Sequence, residues 1–288
     1  MSGGPVRTNP TLPLVAALLA GTLLVPAAAA AQARVYRGVD AGAFPFASDA
    51  EILEALSEGE ITGRQTLGSG TTGVQRLDII HDGKKLRAVF RDQDEYERNL
   101  RLRDGSSFAG FYDRFAGECA AYELGIMLGL RMIPPAALRR VGGEPGSVQL
   151  WVEGAMTEGE RNERGLNPPD SQSWRRQQGI MRAFDALIAN SDRNTGNSLI
   201  DEDWNVWMID HSRTFQIPRG DPSFATVTQM PVDFWEALRG LNEDTTRERL
   251  REYLEPAQLS ALFKRHAALV AHFEELIAQR GEGAVLIQ

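Results

Sequence analysis

The chain reads as an α+β fold in which a β-rich N-terminal part is followed by a helical C-terminal part. Three observations carry this. Residues 66–91 read as a β-hairpin with a glycine-rich mouth, and apolar residues recur at helical spacing over 114–128. In the C-terminal stretch Leu259, Leu262, Phe263, His266, Leu269, Val270, Phe273, Leu276 and Ile277 keep the same spacing. The division expected from them is a β-rich lobe over 48–153 and a helical lobe over 154–288.

In chain order, Arg7 precedes an apolar run over 12–31, and Ala31-Gln32-Ala33 has the small-x-small form of a signal-peptidase site. Residues 1–33 are therefore expected to be a signal peptide. An uncleaved anchor is the rival, but Pro13, Pro26 and the Ala-rich end favour cleavage before Arg34. The mature protein is then exported, periplasmic or secreted, with no stable membrane insertion. Its single cysteine, Cys119, allows no internal disulfide and reads as a small core residue.

An extended leader over 34–47 comes next. Ser48-Asp49-Ala50-Glu51 is a capping box that opens a helix through Leu56. In the hairpin, alternating VQRLDII and KKLRAVFR flank the Asp82-Gly83 turn. Phe115, Cys119, Tyr122 and Ile126 mark the helix over 114–128, which Pro134-Pro135 follows. Strands are expected at 136–141 and 147–152, joined by residues 142–146, and 157–172 reads as a polar connection between lobes or a surface loop. Beyond it the chain is helical, apart from a second hairpin and residues 212–231, long enough for a functional loop.

Composition narrows the function. The net charge is −8, and loss of Arg7 makes it one unit more negative, so no basic block offsets phosphate repulsion and nucleic-acid binding is disfavoured. The four histidines are scattered without ligand spacing, against a zinc site.

The chemistry is concentrated in 184–215, FDALIANSDRNTGNSLIDEDWNVWMIDHSRTF. Ile180, Phe184, Leu187 and Ile188 lead as a helix into a loop where Asn197 follows Asp192 by five residues. The hairpin Leu199-Ile200 / Val206–Ile209, with Asp201-Glu202-Asp203 as its turn, then delivers Asp210. In protein kinases such an Asp accepts the acceptor's hydroxyl proton, the Asn five residues on holds Mg²⁺, and the later Asp holds the metals on the phosphates. The competing reading is an Asn/Gly turn bonded to itself. Gly68, Ser69, Gly70, Thr71, Thr72 and Gly73 lie between two strands and suit a phosphate cover, although an ordinary hairpin loop would look the same.

GSGTTG, GECAAYELGIMLGLRMIPP, GSVQLWV, FDALIANSDRNTGN and MIDHSRTF together resemble, in this order, the phosphatidylinositol 3- and 4-kinase-like superfamily. They look closest to its secreted branch of Golgi casein kinase and four-jointed-type kinases. The resemblance covers residues 67–215 and a helical tail, and implies a bilobed atypical kinase fold with ATP between the lobes and Mg²⁺ or Mn²⁺ as cofactor. By position it implies Asp192 as catalytic base, Asn197 and Asp210 as metal ligands, Glu118 as the helix glutamate that orients the nucleotide-binding cation, and Trp151 and Val152 beside adenine. Arg91 stands where the family has a lysine, and an Arg fork does not occupy the place of an ammonium. Lys85, on the same strand face, is about 20 Å away and cannot substitute. Asn194 stands where relatives often carry His.

Three functions follow as expectations. The first is an exported kinase acting on a hydroxyl of a protein or small-molecule acceptor. The second is a catalytically weak pseudokinase that binds nucleotide or a partner, which Arg91 and the scarcity of ATP outside the cytoplasm favour. The third is a sugar or lipid kinase on the same scaffold.

Overall fold

The computed structural model describes residue 1 and residues 36–67, 74–103 and 105–288, and every element below lies in the unit Ala31–Gln288. The signal-peptide assignment for 1–33 and the phosphate-loop assignment for Gly68–Gly73 fall outside the described residues. Among the described residues no helix is long and apolar enough to cross a membrane.

Helix α1 spans Asp49–Glu58 behind its N-cap Ser48, whose hydroxyl accepts from Glu51 N. The Glu51 carboxylate reaches back to Ala47 N rather than to the cap itself, so the reciprocal half of the box is displaced by one residue. Strands β1 (Glu60–Thr66), β2 (Gln75–His81) and β3 (Lys84–Arg91) follow. The β2–β3 turn has Asp82 at φ 49° and Gly83 at φ 74°, the double positive φ that an Asp-Gly pair supplies in a tight hairpin. Along β3, Leu86, Ala88 and Phe90 are buried in the sheet's core, so alternation turns Arg87, Val89 and Arg91 to the opposite face.

Two strands not expected from the sequence come next, β4 (Asp94–Arg98) and β5 (Phe108–Arg114). Because β5 runs to Arg114, helix α2 starts later than expected and spans Ala116–Met127. Strands β6 (Ala136–Val141) and β7 (Glu144–Leu150) turn at Gly142-Gly143, so β7 begins three residues before its expected start. A five-stranded sheet results, ordered β1-β2-β3-β7-β6, while β4 and β5 pair in a second sheet.

The expected connection over 157–172 contains β8 (Met156–Thr157) and a short helix, α3 (Glu158–Glu163), with a complete capping box on Thr157 and Glu160. Helix α4 (Ser171–Ile188), hairpin strands β9 (Ser198–Ile200) and β10 (Val206–Met208), and β11 (Ile217–Pro218) and β12 (Met230–Pro231) complete the centre. Helices α5 (Val232–Arg239), α6 (Glu243–Leu250), α7 (Pro256–Arg280) and α8 (Glu282–Val285) and strand β13 (Leu286–Ile287) close the chain. The 212–231 loop is thus tied down at both ends, by β11 to β5 and by β12 to β13.

The described residues form two hydrophobic clusters, and α2, although it lies within 48–153, packs in the helical one. One packs α1 on the five-stranded sheet through Ile52, Leu56, Leu77, Ile79 and Phe90, and the other joins α2, α4 and α7 through Leu124, Phe184, Leu187, Leu262 and Phe273. The described leader straps the two together. Tyr36 lies 5.2 Å from both the Phe44 and the Trp207 ring, Arg37 pairs with Glu202 at 2.8 Å, and Asp40 pairs with Arg87 at 3.1 Å. Cys119 is fully buried, as expected of a core thiol.

Candidate active site

Arg91 reaches off the end of β3 toward two carboxylates. Its Nε is 3.4 Å from Glu118 Oε1 and its Nη2 is 3.2 Å from Asp210 Oδ2. Glu118 rises from the first turn of α2 and is fully buried. Its Oε1 also accepts the His211 backbone N–H at 2.9 Å, so one carboxylate holds both the arginine and the turn after Asp210. Burial opposes ionisation of Glu118, but His211 and Arg91 outweigh it and hold the carboxyl below its usual range. His211 Nδ1 sits 3.4 Å from Glu118 Oε2 without making a hydrogen bond, and both atoms are buried without another partner among the described residues.

Helix α4 ends in Ala189 at φ 48°, and the chain turns into the loop that carries Asp192 and Asn197. Asn190 Oδ1 accepts from Asp192 N at 3.0 Å, and Asn197 Nδ2 donates to the Asp192 carbonyl at 2.8 Å. The five-residue interval closes into a tight loop because each end bonds the other. With Nδ2 committed, Asn197 Oδ1 accepts no hydrogen bond among the described residues.

Asp210 has φ 60°, a left-handed conformation that Asp tolerates better than most residues and that concentrates at functional turns. Its carboxyl is pushed up, chiefly by burial; Arg91 opposes the shift, while Glu118 and Asp192 add to it. A further cation would relieve that cost. Among the described residues no three His, Cys, Asp or Glu side chains converge as a metal cage. An ion held by Asn197 Oδ1 and Asp210 would therefore draw its other ligands from phosphate oxygens and water, the habit of Mg²⁺. The hard oxygen donors fit that ion.

Arg91, Asp192 and Asp210 line one cavity of about 140 Å³ together with Asp113, Ser212 and Arg213. Trp151 and Val152 lie elsewhere, on a cavity of about 10 Å³ shared with Tyr36, Glu153 and Trp207. Trp151 N donates to Arg87 O at 2.9 Å and so extends the β3–β7 ladder by one bond.

Several participants were not anticipated from sequence. Arg193, directly after Asp192, donates Nε and Nη2 to the two oxygens of Asp185 at 2.9 and 3.0 Å. Its Nη1 donates to the carbonyls of Asn197 and Ile209, and Nη2 lies 3.1 Å from His211 Nε2. One guanidinium thus binds α4, the Asp192 loop and the Asp210 turn. Arg265 of α7, with 3 % of its surface exposed, donates to Leu187 O and Gln216 O, capping the end of α4; burial pulls it down to about 10.

Gly117 is the third. A Cβ there would stand 2.3 Å from the His211 carbonyl oxygen, so only glycine lets α2 come this close to the Asp210–His211 turn. Gly117→Ala should therefore lower unfolding stability by about 1–3 kcal/mol through overpacking, even though alanine is the better helix former by about 1 kcal/mol. Thermal denaturation checks this; parental stability in the variant would show that the turn yields freely.

No protein-family model and no curated protein sequence matches the chain. Solved structures do. Hydra Fam20, solved with sugar, superposes with a TM-score of 0.64 at 18 % identity, over 84 % of this chain and 93 % of that one. The fold is that of a Fam20-like kinase. The Golgi casein kinase follows at TM-score 0.57 and 15 % identity, over 84 % of this chain and 78 % of its own. The Helicobacter pylori proinflammatory kinase CtkA gives 0.50 and 10 %, over 77 % and 98 %. The Fam20-like fold accounts for the sheet-rich and helical regions, with the Arg91–Glu118–Asp210 contact bridging them.

Proposed function

We propose that the protein is an exported atypical kinase of the wider phosphatidylinositol 3- and 4-kinase-like superfamily, transferring the γ-phosphoryl group of ATP to a hydroxyl. The carrying observation is that Asp192, Asp210 and Arg91 meet at one cavity with Glu118 behind the arginine, on a Fam20-like fold. In this reading residues 1–33 direct export, 48–153 and 154–288 are the two lobes, Gly68–Gly73 cover the phosphates, and Trp151 and Val152 lie beside adenine.

The acceptor oxygen attacks the γ-phosphorus, the bond to ADP breaks, and the hydroxyl proton passes to Asp192. Arg91 holds phosphate oxygens through the part of its fork that Glu118 and Asp210 leave open, and Glu118 fixes its orientation. Bound to Asn197 and Asp210, Mg²⁺ or Mn²⁺ supplies charge neutralisation on the phosphates. The protein's own contribution is placement and electrostatics.

The test is purified protein comprising residues 34–288 with labelled ATP and Mg²⁺ or Mn²⁺. Metal-dependent ADP release or self-labelling supports transfer, whereas ATP binding without turnover establishes the pseudokinase. That second reading is favoured by Arg91 itself, an arginine already engaged by two carboxylates. Arg91→Ala is expected to weaken ATP binding clearly, and Arg91→Lys to keep transfer measurable or raise it; calorimetry and label transfer report the two. Undiminished ATP binding by Arg91→Ala would move the phosphate site away from β3. For the acceptor, a sugar hydroxyl gains support from the sugar found with hydra Fam20.

A further inference from the structure

Arg213 follows Asp210 by three residues and plays no part in the scheme above. Its Nε donates to Asp113 Oδ2 at 2.7 Å, and its Nη1 to Asp192 Oδ2 at 3.3 Å. Asp113 belongs to β5, is only 5 % exposed, and lines the same cavity as Asp192. The backbone is fixed as well: Ser191 N and Oγ both donate to the Arg213 carbonyl at 3.1 Å, and Arg114 N donates to the carbonyl of Ser212 at 2.9 Å. The guanidinium is thus held on one edge by a buried carboxylate of β5, and its main chain is stitched to the residue before Asp192.

This is more than a surface ion pair. A half-exposed arginine free to choose its partner would contribute little, since such pairs are worth about 0–1 kcal/mol. Here the partner Asp113 is buried and fixed on β5, so the fork cannot drift and its other edge meets Asp192 in one geometry. With Oδ2 taken by Arg213, Oδ1 of Asp192 is left with Asn194 Nδ2 at 3.4 Å, a long bond that an incoming hydroxyl can replace.

We propose that Arg213, anchored by Asp113, is the positioning residue that turns the Asp192 carboxylate toward the acceptor oxygen. The assignment rests on the transfer reading given above. Arg213 contacts the base and not the reacting atoms, so its loss appears in turnover rather than in nucleotide affinity. Misplacement of a catalytic group by about 1 Å costs on the order of a hundredfold in rate.

The experiment uses water as the acceptor, with Mg²⁺–ATP hydrolysis measured for the parent, Arg213→Gln, Arg213→Lys and Asp113→Asn, and ATP affinity measured by calorimetry. Arg213→Gln is expected to lower kcat by about ten- to a hundredfold with ATP affinity near parental. Arg213→Lys recovers part of the rate because it restores a cation without the fork, and Asp113→Asn shows a smaller fall because Asn still accepts from Nε. If Arg213→Gln fails to fold, Arg213→Lys and Asp113→Asn carry the same comparison. Parental kcat in these variants, or a loss confined to ATP affinity, overturns the assignment while leaving transfer standing. A parent that binds ATP and shows neither hydrolysis nor self-labelling overturns the transfer reading, and the assignment with it.

Discussion

Asp192→Asn should cut phosphoryl transfer by about 10²–10⁴-fold, the usual contribution of a positioned general base, and leave Mg²⁺–ATP binding little changed. Asp210→Ala should instead remove the metal-dependent part of ATP binding. The split follows from where the carboxylates stand. Asp192 is 41 % exposed, oriented by Arg213, and closes its loop through its own carbonyl and Asn197. Its amide replacement keeps the shape and the backbone hydrogen bonds, but it loses the charge paired with Arg213, one of the two acceptor oxygens and the ability to take a proton. Asp210 is the more enclosed, pairs with Arg91 at 3.2 Å, and sits on a turn held by Glu118. Removing it leaves Arg91 with Glu118 alone and, in the proposed reading, takes away the charged ligand of the metal. Calorimetry with ATP in the presence and absence of Mg²⁺, beside turnover assays, measures both; equal loss of binding in the two variants would show that the roles are wrongly divided.

Arg193→Ala should be the most damaging single change to the site's structure. Arg193 and Asp185 are 14 % and 13 % exposed, and the arginine also satisfies the carbonyls of Asn197 and Ile209. Its removal strands a nearly buried carboxylate, whose remaining side-chain partner is Asn190 Nδ2, and unties three segments at once. Breaking a buried pair from one side costs about 3–5 kcal/mol, and a domain of this size loses about 2–4 °C of Tm per kcal/mol, so a fall on the order of 10 °C is expected. Arg193→Lys should rescue little, because a point cation cannot serve both Asp185 oxygens and two carbonyls at once. Thermal unfolding of both variants decides it, and a lysine variant as stable as the parent would show that charge alone suffices.

Much of the site was readable because its signals are local. The Asp82-Gly83 turn needs positive φ at adjacent residues, and only a few residue pairs supply it. The five-residue spacing of Asp192 and Asn197 closes on itself through one side chain and one carbonyl, and β9–β10 brings Asp210 back by a short hairpin. Alternation along β3 put Arg91 on the face away from the core, and the periodicity of α2 put Glu118 near its buried side.

What escaped was everything whose partner lies far along the chain. Strand β4, Asp94-Glu95-Tyr96-Glu97-Arg98, is exposed throughout and carries no apolar alternation; it is a strand because β5 pairs with it. Strand β5 in turn pairs with two residues of β11 about a hundred positions away, and Gln216 inserts its side chain against the Tyr112 backbone in place of a ladder bond. The same distance separates Asp113 from Arg213, and Glu118 from His211. Periodicity and turn chemistry are properties of neighbouring residues, so the amino-acid sequence by itself determined the α+β division, the two hairpins and the loop that carries Asp192 and Asn197. Which carboxylate pairs with which guanidinium depends on how α2, β5 and the Asp210 turn pack, and that was decided only by the tertiary structure, through glycine-permitted contact at Gly117 and buried charges that must find a partner.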